Sequence, residues 1–185
     1  NEQLVYPPGK GFAELVSVRN PFSLGSNFQG LHPNTKADIT VYRVGSPTVT
    51  TRDQVDKSSE SIDKWKVFIP FLASGSDSFP HPILGKPFIG PPLSVCTESY
   101  LLIGPLASQT EAENVISYIH TRFFRFLVLQ RKPSQNATKR VYEFVPLQDF
   151  SKPWTDEELY AKNKLSQDEI EFIESMVRPM ELEDA

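Results

Sequence analysis

The chain has 185 residues, of which 39% are hydrophobic, and its formal net charge at pH 7 is −4. Its one cysteine excludes an internal disulfide, and its three scattered histidines provide no cluster of metal ligands. No apolar run approaches the roughly 20 residues that a membrane-spanning helix needs, and the N-terminus shows no signal-peptide pattern. The composition therefore predicts a cytoplasmic protein with one sizeable core and no membrane partner.

The predicted strands are short and separated by turn-forming residues. Five segments rich in β-branched and aromatic residues predict strands: residues 11–18, 38–44, 65–71, 94–103 and 141–145. Pro70 confines the third of these to a sheet edge or a strand end. Residues 79–92 are rich in proline but also apolar, so we expect an ordered, irregular crossing over the body.

The clearest helix begins at Ser108, where Ser108-x-x-Glu111 forms a capping box. Apolar residues then recur at helical spacing until about residue 129, and the opposite face is polar. Pro133 prevents any continuation. The pattern therefore predicts one long amphipathic helix.

Two further capping boxes predict two short helices near the C-terminus, starting after Thr155 and after Ser166. Asn163 lies between them. Asparagine is, with glycine, a residue that commonly adopts the left-handed conformation that ends a helix. The predicted fold is therefore α+β: a mixed or mainly antiparallel sheet, one long helix over about 109–129 and two short C-terminal helices. Residues 1–150 are expected to form the α+β domain, and 151–185 an acidic helical appendage packed on it.

The charge is distributed unevenly along the chain. Residues 149–185 carry a net charge of −7, whereas residues 1–148 carry +3. The stretch 114–142 contains no Asp or Glu, and it holds six basic residues: Arg122, Arg125, Arg131, Lys132, Lys139 and Arg140. Such a concentration predicts a face that binds a polyanion. The alternative is a solvated helix face followed by an acidic one.

Part of this basic stretch is a polar loop, residues 131–140, between apolar elements. The amides of Gln135 and Asn136 are suited to paired hydrogen bonds with adenine, and arginine is suited to guanine. Lysine, serine and threonine side chains are suited to phosphate oxygens. The alternative is an ordinary connection that its charges keep soluble.

Motifs for common chemistries of nucleic-acid enzymes are missing from the sequence. It has neither a Gly-rich S-adenosylmethionine turn nor an Asn/Asp/Ser-Pro-Pro-Tyr/Phe loop for a flipped base. No Asp or Glu has Lys two places later, as a common metal-dependent nuclease pattern requires. Gly-Lys-Ser/Thr and Gly-x-Ser-x-Gly are also missing. We therefore expect the chain to catalyse nothing by itself.

Several sequence blocks occur in a fixed order along residues 20–180. They are PFSLGSNF (21–28), GKPF (85–88), VCTESY (95–100), ENVISYI (113–119), FFRFLV (123–128), VPLQDF (145–150), WTDEELY (154–160) and FIESM (172–176). Together they resemble the C-terminal region of bacterial type II restriction–modification N6-adenine DNA methyltransferases.

This resemblance implies a target-recognition domain whose partner is double-stranded DNA. In that family an N-terminal methyltransferase domain precedes this region and carries the catalytic motifs. The resemblance therefore implies that this part has no cofactor of its own and that the parent protein uses S-adenosylmethionine. The DNA sequence that the parent recognises does not follow from the resemblance.

Residue roles follow from combining the basic stretch with this resemblance. We expect phosphate contacts from Arg122, Arg125, Lys139 and Arg140, and base contacts from Arg131, Gln135 and Asn136, with Lys132 in the same surface. The acidic C-terminal helices should face away from DNA. One alternative is a protein–protein docking module for a methyltransferase or nuclease subunit. A nuclease domain is a second, which the missing carboxylate–lysine pattern disfavours.

Overall fold

The computed structural model describes residues 5–31, 36–73 and 79–180. Within these ranges the fold is α+β, with six short strands and four helices. The strands are β1 (Ile39–Tyr42), β2 (Thr48–Thr50), β3 (Trp65–Pro70), β4 (Phe88–Gly90), β5 (Ser94–Cys96) and β6 (Tyr100–Leu106). The helices are α1 (Gln109–His120), α2 (Arg122–Leu129), α3 (Asp156–Lys162) and α4 (Gln167–Met176).

The described strands form two three-stranded sheets, not the single sheet predicted from the sequence. In the first sheet, β1 lies between the antiparallel β2 and the parallel β5. In the second sheet, β3 lies between β4 and β6, and both pairings are antiparallel. The apolar run at 94–103, predicted to be one strand, is interrupted at residues 97–99. As a result, β5 belongs to one sheet and β6 to the other.

Two segments predicted to be strands contain 3-10 turns instead. Residues 11–18 include a turn at Phe12–Leu15. Residues 141–145 begin inside a turn at Lys139–Tyr142. Both segments are apolar because they enter the core, where Phe12 is completely buried. A short apolar run does not distinguish a buried strand from a buried turn.

The second sheet separates two hydrophobic cores because side chains alternate along its strands. Val67 and Ile69 of β3 point into a larger core, which α1 and α2 cover. Phe68 of β3 and Leu102 of β6 point into a smaller core between the two sheets. Both faces of this sheet are therefore buried.

The segment after residue 150 completes the larger core. Both α3 and α4 pack against α2. Five residues of this segment are buried in the larger core: Trp154, Leu159, Tyr160, Ile173 and Val177. The segment predicted to be an appendage thus shares its core with the rest of the chain.

The helix predicted over about 109–129 is interrupted at Thr121, whose backbone is extended with φ −64° and ψ 147°. The Thr121 hydroxyl accepts a hydrogen bond from Phe124 N at 3.1 Å, so it caps α2. The Asp156 carboxylate accepts from Arg122 N and Phe123 N, each at 2.9 Å. A carboxylate at a helix N-terminus satisfies unpaired amides and stabilises the start of a new helix there.

The two C-terminal helices begin directly after the predicted capping residues, Thr155 and Ser166. The Thr155 and Ser166 hydroxyls accept from the amides three residues later, at the first turns of α3 and α4. The left-handed residue between them is Lys164, with φ +55°, and not Asn163. The Asn163 amide instead donates to Leu159 O at 2.8 Å, which satisfies a carbonyl at the end of α3.

None of these helices, within the part of the chain that the structure describes, has the length and apolar character needed to cross a membrane.

A buried lysine links the two sheets. Lys66, in β3, is completely inaccessible to solvent. Its ammonium group donates to Ile62 O and Pro91 O at 3.2 Å and to Ser94 O at 3.0 Å. Burial lowers the pKa of Lys66 to about 8 from its usual 10.5. Three backbone carbonyls thus hold a cation where β3 meets the start of β5.

Lys66→Met should change how stability depends on pH. Between about pH 8 and 10.5 the Lys66 amine is neutral in the folded chain but still protonated in the unfolded chain. The unfolded state then binds more protons, so the wild-type free energy of unfolding should rise with pH relative to the variant. Urea denaturation at a series of pH values measures this difference. Lys64→Met, at an exposed position, is the control, and a difference independent of pH would contradict the prediction.

Candidate nucleic-acid interface

The basic loop, residues 130–138, leaves the C-terminal end of α2. Arg131 N and Lys132 N donate to Val128 O and Leu129 O, at 3.0 and 3.3 Å, and close the helix. Pro133 has no amide hydrogen to continue this pattern. The chain therefore leaves the helix axis here, and residues 133–136 are exposed.

The middle of the basic loop is fixed to the segment that follows β3. Ala137 is completely buried, and its amide donates to Phe71 O at 2.8 Å. In the other direction, Ala73 N donates to Gln135 O at 3.1 Å. The backbone is thereby held while the side chains of Gln135 and Asn136 are exposed. A loop whose backbone is already held loses less conformational entropy on binding a ligand than a flexible loop does.

A groove of about 550 Å³ lies between the basic loop and the turn at Lys139–Tyr142. Three apolar residues, Leu129, Pro133 and Val141, line it, and its other lining residues are polar or basic. Four of the residues predicted to bind DNA line it: Arg131, Lys132, Asn136 and Arg140. The structure thus brings together half of the predicted site around one concave surface.

A second groove, of about 330 Å³, adjoins the first. It shares Lys132, Pro133 and Ser134 with the first groove, and Gln135 also lines it. Its other wall, which includes His81, comes from the proline-rich crossing and was not part of the predicted site. The tip of the basic loop therefore borders two depressions.

Glu143 lies between two of the basic residues. Arg131 Nε is 3.2 Å from one carboxylate oxygen, and Arg140 Nε is 3.8 Å from the other. The same carboxylate is thus within ion-pair distance of both guanidinium groups. Ion pairs this exposed to water are weak, so a phosphate is able to compete for the arginines. Sequence reasoning missed Glu143, although its spacing of three from Arg140 was a signal.

The two lysines of the predicted site have different surroundings. Lys132 is half-buried where the two grooves meet, and this burial lowers its pKa. Lys139 is exposed beside the first groove and lines neither groove. Lys139 lies near the carboxylate of Glu14. Backbone hydrogen bonds from Gly9 and Gly11 lower the pKa of Glu14, and the positive charge of Lys139 lowers it further. Both lysines still belong to the basic loop and the turn that follows it.

Arg125 is not on the surface, contrary to the prediction that it contacts phosphate. Its side chain is completely buried. The guanidinium donates to Arg178 O at 2.6 Å, His120 O at 3.0 Å, Thr121 O at 3.3 Å and Pro82 O at 3.4 Å. Burial lowers its pKa to about 10. Spacing along the helix placed Arg125 on the polar face, but the chain after α4 covers that face.

Arg122 also lies away from the basic loop. It is the first residue of α2, about 10 Å along the helix axis from the loop. Its guanidinium is 3.3 Å from the carboxylate of Glu174 in α4. The acidic α4, expected to face away from DNA, therefore pairs with one of the residues predicted to contact phosphate. The remaining six predicted residues, from Arg131 to Arg140, form the candidate interface.

The described residues show no arrangement suited to metal chemistry. No group of three or more His, Cys, Asp or Glu side chains among them is placed to hold a metal ion. Cys96 is buried in β5, and burial raises the pKa of its thiol. The chemistry that the candidate interface offers is recognition of anionic and hydrogen-bonding groups.

Arg125→Ala should destabilise the fold by about 3 kcal/mol or more, because it leaves buried carbonyls without donors. Arg140→Ala removes the same charge from an exposed position and should change the free energy of unfolding by less than about 0.5 kcal/mol. Urea denaturation of both variants checks this. An Arg125→Ala variant with wild-type stability and weakened DNA binding would restore the original assignment.

Comparisons of the chain with protein-family models, with curated proteins and with solved structures gave no match.

Proposed function

We propose that the chain binds duplex DNA through the basic loop and is the target-recognition part of an N6-adenine DNA methyltransferase. The observation that carries this proposal is the groove lined by Arg131, Lys132, Asn136 and Arg140, on a loop whose backbone is already fixed. The blocks of sequence that resemble such methyltransferases support the same function.

The side chains around the groove match the two kinds of contact that DNA recognition needs. Lys139 and Arg140 are exposed in the turn that follows the basic loop and are suited to phosphate oxygens. Arg131 offers paired donors, and the amides of Gln135 and Asn136 each offer a donor and an acceptor, which are suited to base edges in the major groove. That groove is about 12 Å wide, so it admits a projecting loop of this kind.

The proposed role explains how a domain without catalytic motifs contributes to methylation. Extruding an adenine from the duplex costs a few kcal/mol of stacking and pairing free energy. Phosphate and base contacts from this chain offset that cost, while the preceding methyltransferase domain binds S-adenosylmethionine and the flipped base. In this proposal the chain itself is not an enzyme, and it acts in the cytoplasm, where the bacterial chromosome is.

Binding to a labelled random-sequence duplex should weaken by tenfold or more between about 50 and about 200 mM salt, because each phosphate contact releases a counterion. Fluorescence anisotropy of the labelled duplex measures the affinity at each salt concentration. Lys139→Ala and Arg140→Ala should each weaken binding and reduce the salt slope. Lys64→Ala, at an exposed position just before β3, should change neither. Absence of binding at the lower salt concentration would contradict the proposal for this chain.

Glu143→Gln should strengthen DNA binding severalfold, because the carboxylate between Arg131 and Arg140 competes with phosphate. Glu157→Gln is the matched control, because it changes the net charge equally at an exposed position in α3. The same anisotropy assay compares the two variants. Equal effects would show that net charge alone matters and that the groove is not the binding surface.

The alternative function, protein–protein docking, is favoured by a different observation. An apolar groove lies between α2 and α4, and Phe172 is exposed beside it. Apolar docking depends weakly on salt, whereas phosphate binding depends on it steeply. The two functions are compatible, because they use different surfaces of the chain.

A further inference from the structure

The face formed by α2 and α4 has an apolar groove of about 440 Å³. Its walls are apolar side chains from both helices and the connection before α4: Phe123, Phe126, Leu127, Leu165, Phe172 and Ile173. Phe123 and Ile173 are almost completely buried and form the floor. The groove is separate from the basic loop, since the two share no lining residue.

Phe172 makes this groove unusual for a surface. Its side chain is 56% exposed, although it lies in the middle of α4. Its ring is edge-on to the ring of Phe126, with 5.9 Å between the centroids. A single exposed aromatic residue needs no explanation, but one that continues an apolar concave surface indicates a binding site.

Negative charge lines the α4 side of the groove. Asp168 and Glu169 line it directly, and α4 also carries Glu171 and Glu174. The helix contains no lysine or arginine. Glu174 is paired with Arg122, but the other three carboxylates are exposed. The rim therefore attracts a cationic ligand and repels DNA.

We propose that this groove binds an amphipathic helix of a protein partner, with apolar anchors one helical turn apart and lysine or arginine on either side. Helices bind to grooves of this kind through residues at i, i+3 or i+4, and i+7. The cationic flanks complement the acidic rim and set the orientation of the partner.

The same charges disfavour a second copy of this chain as the occupant. A symmetric dimer through this face places the same patch of both copies in contact. The exposed carboxylates of the two α4 helices would then be brought close together, and α4 itself carries no lysine or arginine to compensate them. The partner is therefore a different, basic segment. This inference is independent of DNA binding, which uses the basic loop.

A phage-displayed library of random peptides about 16 residues long, enough for four helical turns, tests the proposal. The library is selected on the whole chain and counter-selected on Phe172→Asp. The selected peptides should combine apolar residues at spacings of three and four with a net positive charge. A synthetic copy of one should bind Phe172→Ala and Asp168→Lys at least tenfold more weakly than the wild type.

Val44→Ala is the matched control, since Val44 is a similarly exposed apolar residue outside the groove. It should bind the peptide like the wild type, and Phe172→Ala should bind DNA like the wild type. The proposal fails if no selected peptide depends on Phe172, or if the selected peptides are acidic. It also fails if sedimentation shows a wild-type dimer that Phe172→Ala disrupts, because a second copy then occupies the groove.

Discussion

The buried guanidinium of Arg125 is the group on which the arrangement of both surfaces depends. It donates to carbonyls at the end of α1, in the proline-rich crossing and in the chain after α4. Burying a cation costs several kcal/mol unless its donors are satisfied. The carbonyls of His120 and Thr121 suit this purpose, because they lie at the end of α1 where the helix dipole is negative. One side chain thus fixes three segments around α2.

The position of α2 then determines where the two proposed binding surfaces lie. A helix of eight residues is not stable by itself, so tertiary contacts must fix its ends. Asp156 satisfies the amides at its N-terminus, and the turn at Arg131 and Lys132 closes its C-terminus. The basic loop continues from that C-terminus, and the apolar groove follows one side of the helix. Recognition of DNA and of a protein partner would therefore share one supporting element.

The charges of the chain are separated in space as well as in sequence. The basic loop continues from the C-terminal end of α2, whereas the acidic α4 packs along the side of α2. Glu174 of α4 pairs with Arg122 at the N-terminal end of α2. This separation leaves the loop positive while the apolar groove has a negative rim. Positive charge is therefore concentrated on one surface of a chain whose net charge is −4.

Sequence alone determined the features whose physical cause is local. Capping hydroxyls start α1, α3 and α4 because they bond to amides three residues away, and proline ends α2 because it lacks an amide hydrogen. The polar, basic composition of the loop was equally readable. The sequence also predicted an α+β chain, since the spacing of its apolar residues changes between helical and extended segments.

Only the tertiary structure decided the features that depend on residues far apart in the chain. The predicted long helix breaks at Thr121 because Asp156 binds the amides that follow it. Arg125 and Arg122 leave the predicted interface because segments more than 40 residues away cover them. The spacing of arginines on a helix is the same whether solvent or another segment faces them. Burial is a property of the packed chain, so only its three-dimensional contacts distinguish an arginine that binds carbonyls in the core from one that lies at the surface.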